Sequence, residues 1–354
     1  LPSSTSAANI NAARRVLANW ALDDCRLESL PKLFRVEARQ GSFALKPVRK
    51  SQGRLAFMHR VQEHVRGRGF SRLGFLVPTA DGQTAVWRGP LAWTLSQWID
   101  GRELDYRHTA ELARSAAVLA AFHLAAAEFP APPRLGRHTS NVGKWPAKIA
   151  SRCGELLCAA RAARGGNDSF DHELARQAPQ LAEHARRSLF ILNESGYAQR
   201  SRSSDGTLPI CHGDPAAHNF ILGPDGRVSL IDLNSLRADL PCVDLWKLLH
   251  RTGFWRDWDI DVLERVLRAY IGVRPLDEME ATALQGLLWF PEKQWRLAYV
   301  AGRHWGKDAT EQDSGDEAGP SDMDRLTIEL SLAGTSMSHK EACLERLDRL
   351  LNEL

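Results

Sequence analysis

Apolar positions recur at helical spacing over residues 10–24, through Ile10, Val16, Leu17 and Trp20. The period then drops to two. Leu33-Phe34-Arg35-Val36-Glu37, a turn at Arg39-Gln40-Gly41-Ser42, and Phe43-Ala44-Leu45-Lys46 predict strand, turn and strand, with Gly41 supplying the turn's backbone freedom. Helical spacing returns over 54–66, with Leu55, Met58, Val61, Gln62 and Val65 on one stripe. Residues 73–78 and 84–88 alternate around Ala80-Asp81-Gly82 and predict a second hairpin; 91–99 predict one more strand. Beyond Gly101 the texture changes. Residues 109–128 are rich in Ala and Leu and predict a strong helix. Further helices are predicted over 145–163, 171–195, 242–252, 259–271, 279–303 and 325–353, interrupted by short strands and turns at 208–236.

A chain of 354 residues is long for one small core and suits two lobes. With 44% hydrophobic and 25% charged residues it reads as a folded globular protein, which excludes disorder as its main state. A formal net charge of +3, with no long basic block, gives no case for nucleic acid. No run approaches the roughly 20 apolar residues of a membrane span. The opening LPSSTSAANINAARRV lacks the apolar core of a secretory signal, so a cytoplasmic setting is expected. The six cysteines have no paired CxxC spacing and are read as reduced thiols. The stretch 307–324 is acidic, carries Gly and Pro, and reads as a surface loop.

The chemistry concentrates in Ile210-Cys211-His212-Gly213-Asp214-Pro215-Ala216-Ala217-His218-Asn219-Phe220-Ile221-Leu222. An apolar pair delivers His, Asp and Asn into a loop. Phe220–Leu222 and Val228–Ile231 flank Pro224-Asp225-Gly226 and predict a hairpin that folds Asp232 back toward Asn219. Asp214, Asn219 and Asp232 thus converge as oxygen-bearing groups suited to a hard cation such as Mg²⁺. Phosphoryl transfer needs such a cation, a lysine on the phosphates and a carboxylate that orients the acceptor hydroxyl.

His212-Gly213-Asp214, then Asn219, then Asp232 resembles the catalytic loop and metal aspartate of the aminoglycoside/choline phosphotransferase superfamily, relatives of the protein kinases. The resemblance implies an α+β, bilobal kinase-like fold. Residues 1–98 would form a small β-rich lobe, and 99–354 a larger, mainly helical one. It implies ATP or GTP with Mg²⁺ as cofactors and a small-molecule hydroxyl as acceptor. By position, Asp214 would be the catalytic base, Asn219 and Asp232 the metal ligands, and His212 and Asp244 the supports of the loop. Lys46 would grip the nucleotide phosphates beneath a hairpin containing Gly41. Glu63, the sole acid in the 54–66 helix, would pair with Lys46. Residues 95–99, including Ser96 and Trp98, would form the hinge that meets the base.

A narrower resemblance, to spore-coat kinase-like proteins of the CotS type, rests on shorter pieces in the same order. These are Ala44-Leu45-Lys46, Gly69-Phe70, Trp98-Ile99-Asp100-Gly101-Arg102-Glu103, Leu119-Ala120-Ala121-Phe122-His123 and Phe290-Pro291-Glu292-Lys293-Gln294-Trp295. It raises a catalytically weak coat scaffold as the rival to an enzyme, with spore-coat proteins as partners and the spore coat as location. An antibiotic phosphotransferase is a third reading. A protein kinase fits least, because Asp232-Leu233-Asn234 opens no DFG…APE segment.

Overall fold

The structure is a computed structural model that describes residues 7–132, 139–200, 206–302 and 320–353. Its N-terminal region contains α1 (Ala7–Leu17), β1 (Arg26–Ser29), β2 (Phe34–Ala38), β3 (Gly41–Val48), α2 (Gln52–Gly67), β4 (Leu76–Val77), β5 (Val86–Arg88) and β6 (Leu91–Gln97). The strands form one antiparallel sheet in the order β1-β2-β3-β6-β4, and β5 also pairs with β6.

Strand alternation gives this sheet two unlike faces. Phe34, Val36, Phe43, Leu45, Trp93 and Leu95 form a buried cluster with Ala13, Val16 and Leu17 of α1 and with Trp20. Each such side chain contributes about 1.5–3 kcal/mol when fully buried. The Trp20 indole N–H also donates to the Val77 carbonyl at 2.8 Å, pinning the end of α1 to β4. The intervening positions, Ser42, Ala44, Lys46, Thr94 and Ser96, point to the other face, and Lys46 stands directly opposite Thr94.

The remainder is largely helical. It contains β7 (Arg102–Glu103), α3 (Thr109–Ala125), β8 (Phe129–Pro130), α4 (Trp145–Ala162), α5 (Ser169–Glu194), α6 (Tyr197–Arg200), β9 (Thr207–Leu208) and β10 (Ile210–Cys211). There follow β11 (Phe220–Leu222), β12 (Val228–Leu230), β13 (Arg237–Ala238), α7 (Pro241–Trp255), α8 (Ile260–Ile271), α9 (Glu278–Trp289), α10 (Glu292–Val300), α11 (Pro320–Thr335) and α12 (Met337–Asn352). One continuous core joins α2 to α3, α7, α8 and α9, so the inner side of the sheet is tied to the helices. A second core gathers α4, α5, α10 and α11. No helix among the described residues is long and apolar enough to cross a membrane. All six cysteines are free thiols.

The α+β, kinase-like architecture expected from the sequence is present. Several local expectations differ. The strand β1 went unpredicted because Arg26-Leu27-Glu28-Ser29 has one apolar residue and takes its stability from pairing with β2. The first helix stops at Leu17, short of the predicted 24. The two arms around Ala80-Asp81-Gly82 do not pair with each other; β4 and β5 both pair with β6. Residues 279–303 break at Phe290-Pro291, where Pro291 lacks the N–H needed to continue a helix. Residues 325–353 form two helices that part at Ser336. Most of the acidic stretch 307–324 lies outside the described residues, and α11 already begins at Pro320.

Candidate active site

The loop between β10 and β11 is built from short-range chemistry and then clamped by distant partners. The register Phe220↔Leu230 across β11 and β12 brings Asn219 and Asp232 to the same end of that hairpin, as predicted. The Ile231 N–H donates to the Asn219 carbonyl at 3.0 Å. The Asn219 amide nitrogen donates to the Asp214 carbonyl at 2.8 Å and to its carboxylate at 3.2 Å. That commits the nitrogen and leaves the amide oxygen as the atom for a cation. Asp232 sits in the left-handed region at φ 57°, a conformation asparagine and aspartate tolerate best among non-glycine residues. Its Oδ1 accepts from the Asn234 side chain at 2.6 Å and its Oδ2 from Lys46 Nζ at 2.7 Å.

His212 is fully buried. Its Nδ1 accepts from the Asp214 N–H at 3.3 Å, so Nε2 carries the proton and donates to the Ile231 carbonyl at 2.9 Å. The residue thus holds the loop against the hairpin. Gly213 adopts φ 87°, and a Cβ there would run into the Ser235 carbonyl oxygen, so the tight approach of loop and metal segment requires glycine. The Gly213 N–H donates to the buried Asp244 carboxylate at 3.0 Å, and Lys247 Nζ donates to the Gly213 carbonyl at 2.7 Å. Behind Asp244 stand His123, at 3.2 Å, and Tyr270, whose hydroxyl lies 2.7 Å from the other His123 nitrogen. Burial works to raise the Asp244 carboxyl, but the His123 hydrogen bond and charge outweigh it and hold it at about 2. Cys211 lies beside this pair, and its thiol meets the Asp239 and Leu240 carbonyls. The three potential ligand atoms of His123, Cys211 and Asp244 are therefore all spent on internal hydrogen bonds.

Lys46 reaches Asp232 across 186 positions of sequence, and each side chain is about one-third exposed. Burial raises the Asp232 carboxyl; the Lys46 hydrogen bond and charge more than reverse this. Asp214 shows the same balance with a different cation. Burial raises it, and Arg251, whose Nη2 donates to Oδ1 at 2.6 Å, brings it below the ordinary carboxylate range. The donor set of Asn219 and Asp232, hard oxygens backed by a lysine, fits Mg²⁺.

Three expectations need correction. Glu63 does not reach Lys46. The buried residues of α2 are Leu55, Phe57, Met58, Val61, Gln62 and Val65; Glu63 is not among them and pairs with Arg66 at 2.5 Å and with His59 at 3.9 Å. The carboxylate that meets Lys46 is Asp232. Gly41 makes the expected turn, with φ 129°, but it lies five residues from Lys46, about 17 Å along an extended strand. The turn that ends beside Lys46 is instead Leu30-Pro31-Lys32-Leu33 between β1 and β2, because Phe34 stands opposite Leu45. At the far end of β6, Ser96 opposes Ala44. The Trp98 N–H donates to the Ser42 carbonyl at 3.0 Å, and the Gln97 N–H to the Phe75 carbonyl at 2.8 Å, so neither N–H is free for a base.

The model of the APH phosphotransferase enzyme family matches residues 28–283. The chain belongs to that family. The matched span begins within β1, ends within α9 and includes every residue placed at the site above. Among curated proteins, this family member is similar to spore coat protein S of Bacillus subtilis (strain 168), at 24% identity over 266 residues. The match covers 73% of this chain and 74% of that protein. Among solved structures, it is similar to an aminoglycoside phosphotransferase from Alicyclobacillus acidocaldarius. The TM-score is 0.78 at 21% identity, covering 96% of each chain. A spectinomycin phosphotransferase solved with ADP and spectinomycin aligns with a TM-score of 0.54 at 12% identity, over 92% of this chain and 98% of that one. At these identities the structural likeness speaks for the fold.

Sequence reasoning missed two side chains of this candidate site, Lys247 and Arg251. The signal was present. Asp244, Lys247 and Arg251 are spaced i, i+3 and i+7, a charged stripe on a helix otherwise rich in buried Val243, Leu245, Trp246, Leu248 and Leu249.

Proposed function

We propose that this chain is a phosphotransferase that uses ATP or GTP with Mg²⁺ to phosphorylate a hydroxyl of a small molecule. The observation that carries the reading is the meeting of Lys46 with Asp232 at 2.7 Å, beside a loop that presents Asp214 and Asn219. Residues 1–98 supply the nucleotide-covering side and 99–354 the catalytic loop and acceptor side. Lys46 binds the nucleotide phosphates and leaves Asp232 to the cation when nucleotide enters. Asn219, through its amide oxygen, and Asp232 would hold that cation, which would supply neutralisation of the phosphate charge. Asp214 accepts a hydrogen bond from the acceptor hydroxyl and takes its proton as the phosphoryl group is transferred. Arg251 keeps Asp214 ionised and turned toward the acceptor. His212 and Asp244 position the loop.

The test is transfer of the γ-phosphoryl group from ATP to a panel of hydroxyl compounds, with wild type and Asp214→Ala side by side. We expect transfer by wild type, and a rate in the variant lower by about 10²–10⁴, the usual loss of a general base. Equal rates would remove Asp214 from the chemistry. The similarity to a spore coat protein supports a second reading, a coat component that keeps the nucleotide site and turns over slowly. It predicts a melting shift with Mg·ATP but slow transfer, or none, to every acceptor.

A further inference from the structure

Two guanidinium groups bind the segment that follows Asp232, and Lys50 lies four residues ahead of one of them. Arg54, in the first turn of α2, donates through Nη2 to the Asn234 carbonyl at 3.2 Å and to the Leu236 carbonyl. Arg237, on β13, donates through Nε to the Ser235 carbonyl at 3.0 Å. The two guanidinium groups therefore grip neighbouring residues of one short segment. Lys50, half-buried in the link from β3 to α2, feels both of them and Lys46 as repulsive charges. The carboxylate that acts in its favour is Asp232, already bonded to Lys46. Among the described residues, none of Lys50, Arg54 and Arg237 has a carboxylate within ion-pair distance. Arg54 Nη1 is buried with no hydrogen-bond partner. Burial and the Arg237 charge bring the Arg54 guanidinium down to about 10, and burial with its cationic neighbours likewise lowers Lys50.

Like charges packed together and partly withdrawn from water, as these three are, are unfavourable unless an anion completes them. We propose that Lys50, Arg54 and Arg237 form a binding site for a phosphate-type oxyanion, distinct from the Lys46–Asp232 pair. A guanidinium fork and a lysine ammonium match the geometry and charge of a phosphate dianion. Because Arg54 belongs to α2 and Arg237 to the strand after the metal segment, a bound oxyanion would also brace α2 against that segment. The site goes beyond the proposed phosphotransfer and does not depend on it.

The test uses inorganic phosphate as probe on the nucleotide-free full chain, at constant ionic strength with chloride as control. Phosphate binding is followed by melting temperature and by ³¹P line broadening. We expect saturable phosphate binding that weakens at least tenfold in Lys50→Met and in Arg237→Met, is kept in Lys50→Arg, and is kept in Lys46→Met. ADP binding, measured on the same proteins, should fall in Lys46→Met and persist in Lys50→Met. Phosphate affinity no higher than for chloride overturns the site. So does affinity unchanged in Lys50→Met, or lost in Lys46→Met alone, which would place the phosphate in the nucleotide pocket. Should Arg237→Met fail to fold, the Lys50→Met and Lys50→Arg pair decides. Wild type that binds phosphate but no nucleotide would sink the phosphotransferase reading and leave this site standing.

Discussion

The two sides of the site are held in unlike ways. On one side, the loop around Asp214 is fixed by buried groups: His212 to Ile231, Gly213 to Asp244 and Lys247, Asn219 to Asp214, with His123 and Tyr270 behind. On the other, β3 presents Lys46 from a stable strand, but the ammonium itself has, among the described residues, a single partly exposed partner, Asp232, which belongs to the first side. The helix behind it contributes no acid, and Glu63 faces solvent with Arg66. The loop that must hold a reacting geometry is over-determined. The lysine, which under the proposed function would exchange one anion for another, is lightly held. Damage to the first side should therefore cost folding stability, whereas damage to the second should cost only ligand binding.

The largest effect should come from Asp244→Ala. It strips a buried carboxylate from Gly213 and His123, and breaking such a buried network costs about 3–5 kcal/mol. Denaturant unfolding measures this, and a loss under about 1 kcal/mol would erase the contrast. A pH titration sharpens the same point. The Asp244 carboxyl is lowered from 3.8 to about 2 on folding, so its stabilisation is complete above its unfolded value and disappears as pH falls through the folded one. That contribution amounts to about 2 kcal/mol. Wild type should lose it between roughly pH 4 and pH 2, and in Asp244→Asn the acid loss of stability should be smaller by that share.

Arg251→Ala comes next. Removing the cation lets burial raise the Asp214 carboxyl. A base must be ionised, so the acid limb of the pH–rate profile should move to higher pH, and an unmoved limb would show that Arg251 does not tune the base. Lys46→Met should change stability by at most about 1 kcal/mol, since a partly exposed ion pair contributes little, while nucleotide affinity falls. Smallest of all is Glu63→Gln, expected within about 0.5 kcal/mol in stability and silent in nucleotide binding. A loss of binding there would mean that α2 turns its acid to Lys46 once nucleotide is present.

The same contrast governs what could be read from the sequence. The Asp214 loop was legible because its residue types sit in one string and a Pro-Asp-Gly turn folds Asp232 back toward Asn219. Lys46 was legible because strand alternation places it opposite the face of Phe43 and Leu45. Glu63 was misassigned because it was the sole acid in its helix, a criterion that ignores which face is buried. Gly41 was misassigned because β1, too polar to show as a strand, hid the turn that ends beside Lys46. Arg54 acts through contacts with a segment far away in the chain, which no local period announces; Lys247 and Arg251 share a helical stripe with Asp244, but the stripe does not say which loop it meets.

The most direct test is titration of ADP into wild type and Asp232→Asn by calorimetry, each with and without Mg²⁺. We predict that Mg²⁺ tightens ADP binding to wild type and has no such effect on Asp232→Asn, with both proteins folded. Equal tightening in the two proteins, or no ADP binding by wild type, would contradict the account.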